Sequence, residues 1–209
     1  MAADDSLLVP VGHDLGVLYQ GPEPEQRRQV IRVSGDIVEL DDNEFAIWLL
    51  AHGIDDQDRP TRASLVATAR RLGLPAATID EAISRFLADG SLVSVQPASD
   101  SAVAFAQQHQ LIPLMLGLGP DKDQPWMHTI GLLNQPLAQV SNALYDVWAW
   151  AHLAPQLWTG CHDAAEAARR AGVTDPEELE PRRVLTGLLN SVHGLLSVHA
   201  AYFDRRRFG

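Results

Sequence analysis

The chain has 209 residues, 46% hydrophobic and 21% charged, a composition that fits one large or two small folded domains and excludes the disordered and collagen-like classes. Its formal net charge of −11 opposes contact with polyanions, because DNA binding requires a basic face that neutralises phosphates. The single cysteine, Cys161, excludes an intramolecular disulfide and any multi-cysteine zinc site.

The charge is uneven, with 17 acids against 8 bases in residues 1–100 and 10 against 8 in the remainder. No apolar run reaches the roughly 18 residues that span a bilayer, and "MAADDSLLVPVGHDLG" starts acidic where a signal peptide starts basic. The expectation is a cytoplasmic protein with no membrane partner.

In chain order, "QVIRVSGDIVELDD" (29–42) holds two β-rich runs broken by the turn residues Ser34-Gly35-Asp36 and predicts a hairpin. A helix follows. Asp41 with Glu44 three residues later fits a capping box, and Phe45, Trp48 and Leu49 recur at helical spacing. The helix is expected to stop at His52-Gly53. A second helix is predicted from Arg62 to Leu72, closed by Gly73. A third follows Pro75, with Ile79, Ile83, Phe86 and Leu87 on one stripe, and ends at Gly90 before a strand in "SLVSV" (91–95). "QPASDSAVAFAQQHQ" (96–110) reads as a connector.

The same landmarks return in the second half. "PWMHTIGLL" predicts a strand, Ser141 or Asn142 a cap, "ALYDVWAWAHL" a first helix, "HDAAEAARRAG" a second, and "RRVLTGLLNSVHG" a third with Val184, Leu188 and Leu189 inward, followed by "LLSVHAAYF". An offset of 100 pairs Phe45 with Tyr145, Trp48 with Trp148, and His52 with His152. "ARRLGL" meets "ARRAGV" at 99. Offsets of 103 pair "SLVSV" with "GLLSV", and Gly16 with Gly119. Ordered landmarks with drifting offsets are the trace of a duplicated unit. The expected fold class is therefore α+β: two tandem winged-helix-like domains, each a strand hairpin, three helices and a closing strand, over residues 1–97 and 111–209 with a linker at 98–110.

Catalytic and metal signatures are sparse. There is no HExxH, no GxSxG, and no phosphate-binding loop in "GLGPDKDQPW". Asp55–Pro60 resembles a calcium loop for three residues before Arg59-Pro60 interrupts it. Cys161-His162-Asp163 has catalytic residue types, but adjacent helical positions point apart, and a helix start is the plainer reading. No cofactor, metal or catalytic residue is expected, so the protein is not expected to be an enzyme. His52 and His152 are expected as stacked, helix-capping core histidines. On the third helices that would enter a DNA groove, Asp80, Glu81, Ser84, Arg85 and Asp89 in one copy, and Arg182, Arg183 and Asn190 behind three glutamates in the other, make a poor phosphate surface. Arg70, Arg71, Arg169 and Arg170 in the second helices offer at most a modest basic strip.

"IRVSGDIVELDDNEFAIWLLAHG" followed by "ATIDEAISRFLADGSLVSV" resembles the winged-helix-like PqqD-type domains that bind precursor peptides in ribosomal-peptide maturation, over about residues 29–95 and by residue type alone. Generic winged helices share the same pattern. The resemblance implies that a peptide adds as a strand at the hairpin edge and lies against the third helix. Carried onto this chain it implies a partner-binding surface of Val30, Ile31, Arg32 and Val33 with Ile79, Ile83 and Phe86. The layout of two such units in a short acidic chain is also similar to the kleisin-interacting subunits of bacterial condensin complexes. The functional expectation is a non-catalytic adaptor for a protein or peptide partner, compatible with a homodimer. The alternative is a DNA-binding winged-helix transcriptional regulator, although nucleic acid is disfavoured as a partner. An exposed tryptophan among Trp126, Trp150 and Trp158 would mark a binding anchor.

Overall fold

A computed structural model describes residues 6–19, 21, 27–55 and 58–206. The fold is α+β, with nine α-helices and ten strands in four small sheets among the described residues. The first half runs β1 (Leu7–Pro10), β2 (His13–Tyr19), β3 (Arg27–Val33), β4 (Asp36–Leu40), α1 (Asp42–Leu50), α2 (Arg62–Arg71), α3 (Ala76–Asp89) and β5 (Leu92–Val95). After α4 (Asp100–Gln108), the second half runs β6 (His109–Pro113), β7 (Leu116–Pro120), β8 (Met127–Leu132), β9 (Gln135–Ser141), α5 (Asn142–Trp150), a 3-10 turn (Ala151–Leu153), α6 (Leu157–Arg170), α7 (Pro176–Leu179), α8 (Pro181–Ser191), α9 (His193–Leu196) and β10 (Ala201–Arg205).

The two halves share an order and a pairing. Each has a three-stranded antiparallel meander, β2-β3-β4 or β7-β8-β9, and a two-stranded sheet that joins its first strand to its last, β1-β5 or β6-β10. The meanders carry matching irregularities, a register shift at Asp14/Gly16 and another at Gly117/Gly119. Gly16 and Gly119 sit there at φ +86° and +95°, which a side chain would resist. Trp48 and Trp148 are both buried and hold equivalent bonds. The Trp48 indole N–H donates to Ser91 O (3.2 Å) and that of Trp148 to Ala200 O (3.0 Å), in each case the residue before the closing strand.

Local chemistry sets the element ends. Ser34, left-handed at φ +58°, turns the β3-β4 hairpin. Asp41 accepts from the Asn43 and Glu44 amides at 2.9 Å, and Glu44 accepts from the Asp41 amide at 3.0 Å, so the capping box satisfies three first-turn donors. Gly90 ends α3 in the left-handed region, and Ser141 caps α5.

Several expectations need correction. Strands β1 and β2 add to the predicted elements: β1 is four buried residues, and β2, "HDLGVLY", has no buried face and lacks clean alternation. The connector at 98–110 holds a helix, α4, whose Ala102, Phe105 and Ala106 are buried in the core; Ser99 caps it. "GLLSV" is not the counterpart of "SLVSV": His193–Leu196 is helical with Leu195 and Leu196 both buried, and the closing strand begins only after His199 turns the chain at φ +55°. Cys161-His162-Asp163 lies in the middle of α6, not at its start.

One continuous core runs through both halves. A polar seam adds to it. Asp204 on β10 accepts from the Ser34 amide (2.6 Å) and pairs with Arg32 (3.2 Å), whose guanidinium also donates to the Tyr202 hydroxyl (2.8 Å). The Gly12 amide donates to Phe203 O at 2.8 Å, and Val11 forms a parallel bridge with Phe203.

Candidate functional site

The residues singled out from the resemblance do not form a surface. Val30, Ile31 and Val33 are buried, Arg32 is committed to Asp204 and Tyr202, and Ile79, Ile83 and Phe86 are fully buried. The physical reason is that β3 is the middle strand of its meander. Its two edges are taken by β2 and β4, so no ladder position remains for a ligand strand. The stripe Ile79, Ile83, Phe86 packs α3 into the core, where α1 and β5 meet it.

The edges next to the third helices are β4 in the first half and β9 in the second, and they differ. On β4 the Arg85 guanidinium, projecting from α3, donates to the backbone carbonyl of Glu39 (3.2 Å) and pairs with the Glu44 carboxylate. An acceptor on that edge and the space above it are thus occupied by the chain's own side chain. On β9 a groove of about 840 Å³ lies open between the strand and the end of α8 with α9. Leu137, Ala138 and Val140 of β9 and Leu144 of α5 give it an apolar side. Ser191, Gly194 and Ser197 give a wall of small residues opposite. The first half contributes Ile54, Asp55 and Arg59 to the lining, and Arg59 donates to Asn190 Oδ1 at 2.6 Å. The signal for this groove was present as small residues three apart, but the second half of "RRVLTGLLNSVHGLLS" read as core helix and strand.

The arginines of the third helices are paired. Arg85 contacts Glu44 and lies 3.9 Å from Asp89, Arg182 contacts Asp100 (2.8 Å), and Arg183 contacts Glu177 (2.6 Å) and Glu180 (2.9 Å). Arg70 and Arg71 end α2 and Arg169 and Arg170 end α6, where helix dipoles favour cations. Arg169 is paired with Glu166.

The two histidines that the offset of 100 aligns are placed differently. His52 is buried, its Nδ1–H donates to Trp48 O (3.1 Å), and its ring meets the Trp48 ring edge-on at 4.4 Å. Burial, then the proximity of His199, pushes it down to about 3. His152 instead sits in the 3-10 turn, half-buried, with its Nδ1 unpartnered. Burial pushes the Cys161 thiol up to about 12, so no thiolate nucleophile is available at neutral pH. Among the described residues no group of three or more His, Cys, Asp or Glu is arranged to hold a metal.

Trp126 and Trp150 are exposed, while Trp158 is half-buried against His162. No helix among the described residues is long and apolar enough to cross a membrane. No protein-family model, curated protein or solved structure matches the chain.

Proposed function

We propose that the chain is a non-catalytic adaptor built from two winged-helix-like copies of one ancestral unit, and that it takes an extended peptide or a partner's segment as an added strand on β9. The observation that carries this reading is the groove in which an edge strand, free on one side and lined by Leu137, Ala138 and Val140, faces the end of the third helix and α9 of its own copy. The residues Pro136 to Ser141 run for roughly 20 Å at the usual strand rise. Main-chain bonds along such an edge supply affinity, and pockets for alternate side chains supply selectivity. The repeated element order, the matched bulges and the matched tryptophan bonds support descent from one unit.

The pairing of Arg85, Arg182 and Arg183 with carboxylates, together with the net charge of −11, weighs against the DNA-binding alternative. In the first copy, Arg85 makes the corresponding edge a closed twin, so one segment binds per chain.

The test is selection of a random peptide library on the full chain, followed by hydrogen exchange of the chain with the enriched peptide. Protection concentrated at residues 137–141, with affinity lost in Gln139→Pro, is the expected result. Protection elsewhere, or no enrichment, refutes the reading. A gel shift on random duplex that weakens steeply with salt would favour the regulator instead.

A further inference from the structure

A second cleft, of about 670 Å³, opens where both halves meet the connecting helix α4, and it has a different chemistry from the β9 groove. Its apolar side is Val93, Ala104 and Phe105. Its basic side is His109, Arg205 and Arg206, with Asp36 as the carboxylate at the rim.

The basic groups are held in place by backbone. His109 and Arg205 are directly opposed across the β6-β10 ladder, which puts their Cβ atoms roughly 5 Å apart on one face. The Arg205 guanidinium donates to Asp89 O and passes over Gly90, where an added Cβ would collide with it. The Arg206 amide donates to Gln108 O at 2.7 Å, which fixes the end of β10 beside α4. The His109 ring stacks on Phe105 at 4.3 Å, and its Nδ1–H donates to Phe105 O at 2.8 Å, so Nε2 is the nitrogen left to gain or lose a proton.

We propose that this cleft binds a small organic anion, a phosphate or carboxylate carried on an apolar body, with the charged end at Arg205, Arg206 and His109 and the body against Phe105, Val93 and Ala104. The cleft is within the usual size of small-molecule sites, about 300 to 1,000 Å³. The net charge of the chain does not forbid this, because fields are screened over about 8 Å at physiological ionic strength and the local groups decide. Of the nearby carboxylates, Asp204 is engaged by Arg32 and the Ser34 amide, Asp89 accepts from the Ser91 amide and hydroxyl, and Asp36 lies in the lining of the cleft. Burial and Arg205 hold His109 below its ordinary value, with Asp204 acting in the opposite sense. A bound anion favours the imidazolium, so binding takes up a proton and tightens as pH falls. Because residues of both halves line the cleft, occupancy also stabilises the folded chain.

The experiment is an NMR titration of the full chain with phenyl phosphate, phenylacetate, inorganic phosphate and the neutral 2-phenylethanol, at pH 8 and pH 6. Both organic anions should shift the His109 and Phe105 signals, with the neutral alcohol and inorganic phosphate each binding at least about tenfold more weakly. The ratio of the two organic anions tells phosphate from carboxylate preference. Ala104→Trp, at an exposed position that fills the cleft, and Arg206→Gln should each weaken binding about tenfold, and binding should tighten severalfold from pH 8 to pH 6. Equal affinity for 2-phenylethanol, unchanged binding in both variants, or no binding of any probe overturns the proposal.

Discussion

Acidification should destabilise this protein in a way that can be assigned to one ring. His52 is buried against Trp48, faces His193 and His199 from the second half, and is held at about 3 against an ordinary 6.5. The folded chain therefore keeps the ring neutral while the unfolded chain protonates it below pH 6.5. A lowered folded value means the unfolded state binds more protons, so stability is whole above pH 6.5 and falls as pH drops towards 3. Integrating that difference gives a loss of about 2 kcal/mol by pH 5 and about 3 kcal/mol by pH 4 from His52 alone. Urea unfolding followed by tryptophan fluorescence at pH 7.5, 6, 5 and 4 measures it, with His52→Gln as the comparison. His193 and His109, also lowered by burial, keep some slope in both proteins, so the His52 share is the difference between them. If the two pH profiles run parallel, the reasoning about His52 is wrong.

Three other substitutions test different contacts. Asp204→Ala removes the acceptor shared by Arg32 and the Ser34 amide and should cost about 2–4 kcal/mol in urea unfolding; a loss below half that range would mean water replaces the carboxylate. Gly160→Ala, a stabilising change of up to ~1 kcal/mol in an open helix, should instead cost about 1–3 kcal/mol, because the new methyl would lie 2.7 Å from Ala151 Cβ. A rise in melting temperature would refute that. Arg85→Ala removes a pair exposed on the arginine side and should change stability by less than about 1 kcal/mol, yet it should raise peptide stoichiometry in calorimetry from one to two per chain, if the first edge is closed by this side chain.

What could be read from the residues was whatever local chemistry dictates. Asp41 with Glu44, Gly90 and Ser141 mark element ends because the groups that satisfy a helix terminus lie within a few residues of it. Trp48 and Trp148 were recognisable as counterparts because a large ring at one point of a helical stripe is hard to mistake. Long-range pairing was not legible. Nothing near Val30 announces that both neighbours of its strand are already taken, and nothing in "QPASDSAVAFAQQHQ" shows that Phe105 and Ala106 have a core to enter. The β9 groove escaped notice for a related reason, since Ser191, Gly194 and Ser197 acquire meaning only when an unpaired edge faces them.

The stitch between positions 11–34 and 202–204 has a consequence for biogenesis. Ribosomes deliver Arg32 and Ser34 some 170 residues ahead of Asp204, so the leading half is made before the carboxylate that it binds. Closure over some 170 intervening residues is slow by topology. The leading half thus reaches its finished form only once β10 has been made, and a chain cut before β10 would leave positions 11–34 without this stitch.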